Sequence, residues 1–130
     1  NQFAIFQGQK DHDDLTIKEA QKYIERNVNE RISVEKLARE YAISNRNFVR
    51  RFKKATQNTP SQYIQRVRIE AAKRSLESTE QNVNEVMYQV GYVDQKAFRK
   101  VFKKYAGISP VAYKSKYNRS RVDFERPTAW

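Results

Sequence analysis

The chain has 130 residues, with 26 Lys and Arg against 15 Asp and Glu, and a formal net charge of +11. That length fits one domain or two very small ones; the absence of cysteine excludes disulfides, thiolate metal sites and cysteine nucleophiles, and the single histidine, His12, excludes any site that needs two imidazoles. No apolar run approaches the ~18–20 residues of a membrane span, no signal-peptide pattern opens the chain, and three Gly with three Pro argue against a loop-rich or all-β protein.

Residues 1–14, NQFAIFQGQKDHDD, read as a linker or tail. A chain that opens with Asn rather than Met is expected to be part of a longer protein. The first helix is predicted over 15–28, where Leu15, Ala20, Tyr23, Ile24 and Val28 recur at helical spacing. Asp13 or Asp14 can cap it, a carboxylate suiting the positive end of the helix dipole. A second helix is predicted after Ser33, with Val34, Leu37, Ala38 and Tyr41 on one face and Glu35 and Lys36 outward. A third starts after Ser44 and runs to Thr56, burying Phe48 and Phe52; Asn58-Thr59-Pro60 breaks it. A long helix follows over 61–78, with Tyr63, Ile64, Val67, Ala71, Ala72 and Leu76 as its apolar stripe. A fifth is predicted over 83–90, capped by Asn82. Gly91 permits the next turn. A sixth covers 94–105 with Phe98, Val101 and Phe102 inward, and Gly107 is suited to end it. Ser109-Pro110 starts a seventh, proline being at home in a first helical turn, and it ends near Tyr117. Residues 119–130 read as a tail. No alternating strand pattern occurs, so the class is all-α.

The chain contains a repeat of itself. SVEKLAREYA at 33–42 aligns with NVNEVMYQVG at 82–91 at an offset of 49 residues. Val34 meets Val83, Leu37 meets Val86, Ala38 meets Met87 and Ala42 meets Gly91. One added turn residue makes the offset 50 thereafter. Phe48 then meets Phe98, Phe52 meets Phe102, Thr59-Pro60 meets Ser109-Pro110, and Tyr63 meets Tyr113. Two copies are too few for a solenoid. Each copy is a short helix, a tight turn and a basic helix, the order of a helix-turn-helix. The boundaries expected are a first unit over 15–60, a linker helix over 61–78 and a second unit over 79–118.

Charge agrees with that reading. Residues 1–30 carry 4 basic and 6 acidic side chains, residues 31–130 carry 22 and 9. A basic excess concentrated in one region suits a polyanion, nucleic acid before an anionic membrane. In a helix-turn-helix the second helix enters the major groove. Its inner face must pack and its outer face must offer long donors. With Phe48 and Phe52 inward, Asn45, Arg46, Asn47 and Arg50 become candidates for base edges. In the second copy the candidates are Gln95, Lys96, Arg99 and Lys100. Arg and Lys suit guanine O6 and N7, Asn and Gln suit adenine N6 and N7. Arg51, Lys53, Lys54, Lys103 and Lys104 are assigned to phosphates or solvent. The 18-residue linker helix would span ~27 Å, against ~34 Å between successive major-groove faces. Two recognition helices, 44–56 and 94–106, could therefore enter adjacent grooves of one duplex, bending it if the separation falls short, at a cost of about 1–6 kcal/mol.

These segments resemble the AraC/XylS family of bacterial transcription regulators. The resemblance covers about 15–118 and rests on the double unit, the RIEAAKRSLE linker helix, the GY turn and FKKYAGISPVAY, in that order. It implies seven helices in two homeodomain-like helix-turn-helix units. It also implies promoter binding, usually activation of transcription, frequent contact with RNA polymerase, and a cytoplasmic, nucleoid-associated protein. Matched by position, the family's base-reading places fall on Arg46, Val49 and Arg50, then on Lys96, Arg99 and Lys100. Val49 could instead simply pack. Met87 stands where the family usually has Ala, and is expected to loosen the second unit's packing. FQGQKDHDD with SNRNFVRRF resembles the subgroup that carries a class I glutamine-amidotransferase-like domain of the PfpI type ahead of the DNA-binding domain. That implies an effector, if there is one, bound by a domain absent from this chain.

Other chemistry is poorly supported. Asp11, His12, Asp13 and Asp14 are consecutive, with no second element to complete a metal site, and helix capping explains them better. No Gly-rich phosphate loop, paired-histidine zinc motif or nucleophile elbow occurs. No catalytic residue, cofactor or metal is therefore expected. The tyrosines at 23, 41, 63, 105, 113 and 117 fit core positions better than base-stacking platforms. The competing reading is a helical protein-interaction module whose basic faces serve solubility or an acidic partner.

Overall fold

A computed structural model describes residues 12–120. Among the described residues there are seven α-helices and no strand: α1 Leu15–Arg26, α2 Val34–Glu40, α3 Asn45–Thr56, α4 Pro60–Ser78, α5 Val83–Gln89, α6 Gln95–Ala106 and α7 Pro110–Tyr117. The chain divides into two compact units between Val67 and Arg68, inside α4.

Short polar side chains start these helices. Ser33, Ser44 and Ser109 each accept the backbone N–H three residues on, and Asp94 accepts those of Lys96 and Ala97. Two starts are reciprocal. Asn82 accepts from the Glu85 N–H while the Glu85 carboxylate accepts from the Asn82 N–H. Thr59 and Gln62 exchange the same pair of bonds at the start of α4. Each such cap satisfies donors that the first turn leaves without a helical partner.

The first unit's core is Ile17, Ala20, Ile24, Leu37, Ala38, Phe48, Phe52, Tyr63, Ile64 and Val67. The second unit's is Ile69, Ala72, Leu76, Val86, Met87, Val90, Phe98, Phe102, Tyr105 and Tyr113. The two cores repeat each other ring by ring. Phe48 and Phe52 lie 5.8 Å apart, as do Phe98 and Phe102. Phe52 meets Tyr63 edge-on at 5.3 Å, and Phe102 meets Tyr113 edge-on at 5.4 Å. The Tyr63 hydroxyl donates to Glu25 at 2.9 Å, and the Tyr113 hydroxyl donates to Glu77. Burial first, and then the glutamate beside each, push both phenols far above their ordinary range.

Periodicity alone misplaced some side chains. Leu15 is exposed and Ile17 takes its place in the core, because Asp14 sets the start of α1 and turns residue 15 outward. Tyr23 and Tyr117 are also partly exposed, at 39% and 44%, and Val28 falls beyond the end of α1 but still packs on the first core. Ile69 is fully buried although it lies off the predicted stripe of α4. That helix serves two cores, Val67 belonging to the first and Ile69 to the second. Met87 is as buried as its counterpart Ala38, each 1% exposed. An unbranched thioether adapts to the space available there.

The helix-turn-helix turns are alike in backbone and unlike in residue. In the first, the Ala42 N–H donates to Arg39 O and the Ile43 N–H to Ala38 O. In the second, the Gly91 N–H donates to Tyr88 O and the Tyr92 N–H to Met87 O. Both are Schellman endings, which demand a left-handed residue. Gly91 has φ 93° and Ala42 φ 56°. The same contrast closes α3 and α6, at Gln57 with φ 65° and Gly107 with φ 87°. The left-handed conformation costs a non-glycine residue roughly 1–2 kcal/mol. Glycine's greater freedom in the unfolded chain takes back roughly 0.5–1 kcal/mol. Ala42→Gly is therefore expected to stabilise the protein by about 0.5–1 kcal/mol, read as a higher urea midpoint with an unchanged slope. An unchanged or lower midpoint would contradict this.

Candidate nucleic-acid interface

The face of α3 that turns away from Phe48 and Phe52 carries Arg46, Asn47, Arg50, Lys53 and Lys54, and Asn45 stands in the first turn, three residues before Phe48; all are exposed. The matching face of α6 carries Lys96, Lys100, Lys103 and Lys104, with Arg99 at its edge and Gln95 in the first turn, three residues before Phe98; all are exposed. Val49 is half-buried, a position that serves packing and leaves part of its surface for contact. Counterpart cations stand at 46 and 96, 50 and 100, 53 and 103, and 54 and 104. Among the described residues no carboxylate pairs with Arg46, Arg50, Lys96, Arg99, Lys100 or Lys103. The one acid in the first turn of α6's approach, Asp94, is occupied as its cap. Each face is thus a row of solvated donors on a helix whose other side is locked into a core.

Several of these groups are pre-oriented. The Arg50 guanidinium donates to Asn47 Oδ1 at 3.3 Å, one turn back. Gln95 Nε2 donates to Asn84 Oδ1 on α5 at 2.7 Å. Lys53 Nζ donates to the Gln57 carbonyl at 3.1 Å, closing the end of α3. Lys104 lies over the Tyr105 ring at 5.2 Å.

Arg51 departs from the sequence reading. Its Nη2 and Nε donate to the two carboxylate oxygens of Asp14 at 2.8 and 3.1 Å. It is tied to the start of α1 rather than offered to a phosphate. Asp14 also accepts from the Ile17 N–H at 3.2 Å, so one carboxylate caps α1 and anchors α3. Burial raises the pKa of this carboxyl, but the hydrogen bonds and charge of Arg51 with the capping N–H groups outweigh it, and the group titrates below its ordinary value. A lowered folded-state pKa stabilises the fold above the unfolded value near 3.8 and is lost as pH falls through the folded one. Asp14→Asn, which keeps a cap but no charge, is expected to lose little stability at pH 7. Asp14→Ala is expected to cost about 1–2 kcal/mol. The difference between parent and Asp14→Asn should shrink below pH 4 in urea titrations, and a gap constant with pH would count against the ion pair.

His12 Nε2 pairs with Gln21 Oε1 at 2.8 Å, and its Nδ1 accepts from the Asp14 N–H at 3.2 Å. Asp11 lies outside the described residues. Among the described residues no group of three or more His, Asp or Glu could hold a metal, and no helix is long and apolar enough to cross a membrane.

A helix-turn-helix domain family model matches residues 37–116. The MmsAB operon regulatory protein of Pseudomonas aeruginosa is 36% identical over 94 residues, covering 72% of this chain and 31% of that protein. Histidine kinase P4 of Formosa agariphila is 32% identical over 107 residues, covering 82% of this chain and 8% of that protein. The chain therefore spans under a third of the length of these curated relatives. Among solved structures, the DNA-binding domain of AdpA, a global transcriptional factor crystallised with a target DNA, superposes with a TM-score of 0.75 at 33% identity, covering 82% of this chain and 95% of that one. The C-terminal domain of AraT, a response regulator from Geobacillus stearothermophilus, gives a TM-score of 0.76 at 26% identity, covering 81% and 88%. With seven helices, a doubled turn motif and a matching family model, the chain belongs to the AraC/XylS family as a helix-turn-helix DNA-binding domain of the transcription-regulator type.

Proposed function

We propose that this chain reads duplex DNA sequence-specifically, as part of a longer cytoplasmic regulator of bacterial transcription, with α3 and α6 as recognition helices in successive major grooves. The observation that carries this reading is the duplication. Two helices with counterpart Phe anchors turn counterpart rows of exposed cations to solvent. A single basic helix face is commonplace; the same face at the same register in both copies is what a two-site DNA reader needs. In this reading Asn45, Arg46, Asn47, Arg50, Gln95, Lys96, Arg99 and Lys100 meet base edges, with Val49 against a thymine methyl. Lys53, Lys54, Lys103 and Lys104 meet phosphates, which fix register without reading sequence. AdpA's DNA-binding domain, similar over most of its length, was crystallised on a target duplex, which supports the same use here. An effector, if there is one, is bound by a domain absent from this chain.

The test is a selection from random duplexes at a fixed ~150 mM salt, since nonspecific affinity falls steeply with salt. The reading predicts recovery of one motif with two half-sites about one helical turn apart. No enrichment by a folded, helical protein would contradict it and favour the protein-interaction reading.

A further inference from the structure

The second unit holds one base-reading candidate by a contact that the first unit lacks. Gln95 opens α6 at its first position, and its Nε2 donates to Asn84 Oδ1 at 2.7 Å. Asn84 sits on α5, eleven residues earlier, and both side chains are exposed. The counterparts in the first unit are Glu35 and Asn45. Asn45 is one methylene shorter than Gln95, and Glu35 would add a charge. The repeat therefore departs from itself at this pair of positions.

The consequence follows from amide chemistry. A glutamine amide has two N–H donors and one acceptor oxygen. Reading adenine uses one N–H toward N7 and the oxygen toward the N6 amino group. The second N–H is surplus to that contact. A free glutamine can rotate or swap its amide ends, offering a donor or an acceptor to the same base. With its surplus N–H held by Asn84, the Gln95 amide plane is fixed and its oxygen is left free to accept. We infer that Asn84 is a positioning residue that orients Gln95 and thereby sets a preference for a base with a major-groove amino group at one position of the second half-site. The rim around the pair fits that task. Asn84, Gln95 and Arg99 all line a groove between α5, α6 and α7, so a base-contacting amide would share that groove with an arginine able to reach the neighbouring base or phosphate. Asn84 makes this contribution through Gln95, without needing to touch DNA.

This inference rests on the DNA-reading proposal above. The experiment is the random-duplex selection repeated with Asn84→Ala, Asn84→Asp, Gln95→Ala and the Asn84→Ala/Gln95→Ala double variant. Thermal melts check that each is folded, as expected for exposed positions. The parent should prefer A or C over G and T at one position of the second half-site. Asn84→Ala should weaken that preference by about five- to tenfold and leave the other positions unchanged. Gln95→Ala should weaken the same position, and the double variant should be no worse than Gln95→Ala. Asn84→Asp still accepts from Gln95 and should keep the preference, while binding all duplexes more weakly through its added charge. A parent with no sequence preference would overturn both this inference and the DNA-reading proposal. A parent with a clear motif that Asn84→Ala leaves intact, or weakens equally at every position, would overturn this inference alone.

Discussion

Phe52→Ala is expected to cost about 3–5 kcal/mol, the largest effect of any single substitution considered. The Phe52 ring has no solvent exposure. It lies 5.8 Å from Phe48 and edge-on to Tyr63 at 5.3 Å, the hub between α3 and α4 in the first core. Truncation loses the transfer energy of the ring and leaves a cavity that rigid neighbours cannot fill. Domains of this size are stable by only about 5–15 kcal/mol in total, and this core is half of one. The two cores share no residue, so the loss should fall on the first unit. Urea unfolding followed by circular dichroism should then show an early transition for the first unit, with the second unit's transition preserved. Phe102→Ala, its counterpart, should produce the converse. A shift of less than about 1 kcal/mol, far below the range for a buried ring, would mean that Phe52 does not hold α3 in place.

The second large effect concerns recognition. Arg50→Ala and Lys100→Ala should each weaken binding to the selected duplex by about 1–3 kcal/mol, and binding to random duplexes much less. Both residues are exposed, at counterpart register, on the face opposite the Phe anchors, so folding should be unaffected. The discriminating quantity is the ratio of specific to nonspecific affinity at one salt concentration. A base contact changes that ratio, whereas a phosphate contact lowers both affinities together. Lys53→Ala and Lys103→Ala are the internal comparison, since their assignment to phosphate predicts a uniform loss. Because Arg50 is already steadied by Asn47, Asn47→Ala should give a smaller loss in the same ratio. Equal loss on all duplexes from Arg50→Ala and Lys100→Ala would move both residues to the phosphate class.

Much of this arrangement is legible in the sequence because it is local or repeated. Caps are one-residue signals, and Ser33, Ser44, Asn82 and Ser109 act where their residue types suggest. The Phe pairs fix the inner face of α3 and α6 from spacing alone. The repeat does the rest, since two noisy patterns that agree at an offset of 49 or 50 carry more than either copy. The features that escaped are those that join residues far apart in the chain. Asp14 and Arg51 are 37 residues apart, Glu25 and Tyr63 are 38, and Asn118 donates to Leu76 O across 42. No periodicity reports such pairs. Glu25–Tyr63 and Glu77–Tyr113 are the same kind of contact made twice, but Glu25 and Glu77 stand 52 residues apart, off the register of 49 or 50, so counterpart matching does not report it. Ile69 escaped for a different reason, as a stripe argument assumes one buried face and α4 serves two cores. Leu15 was misplaced because hydrophobicity outvoted capping at a helix start. The Asn84–Gln95 bond was hidden because the repeat itself breaks there.

The central claim is that both recognition helices read bases in the major groove of one duplex. Methylation interference on the selected duplex tests it most directly, because methylated guanine N7 blocks contacts on the major-groove edge. The account predicts two clusters of interfering guanines, centred about 10 base pairs apart on one face of the duplex. Arg50→Ala should relieve interference in one cluster, and Lys100→Ala in the other. A single cluster, or two clusters that both respond to the same substitution, would contradict the claim that each helix reads its own groove.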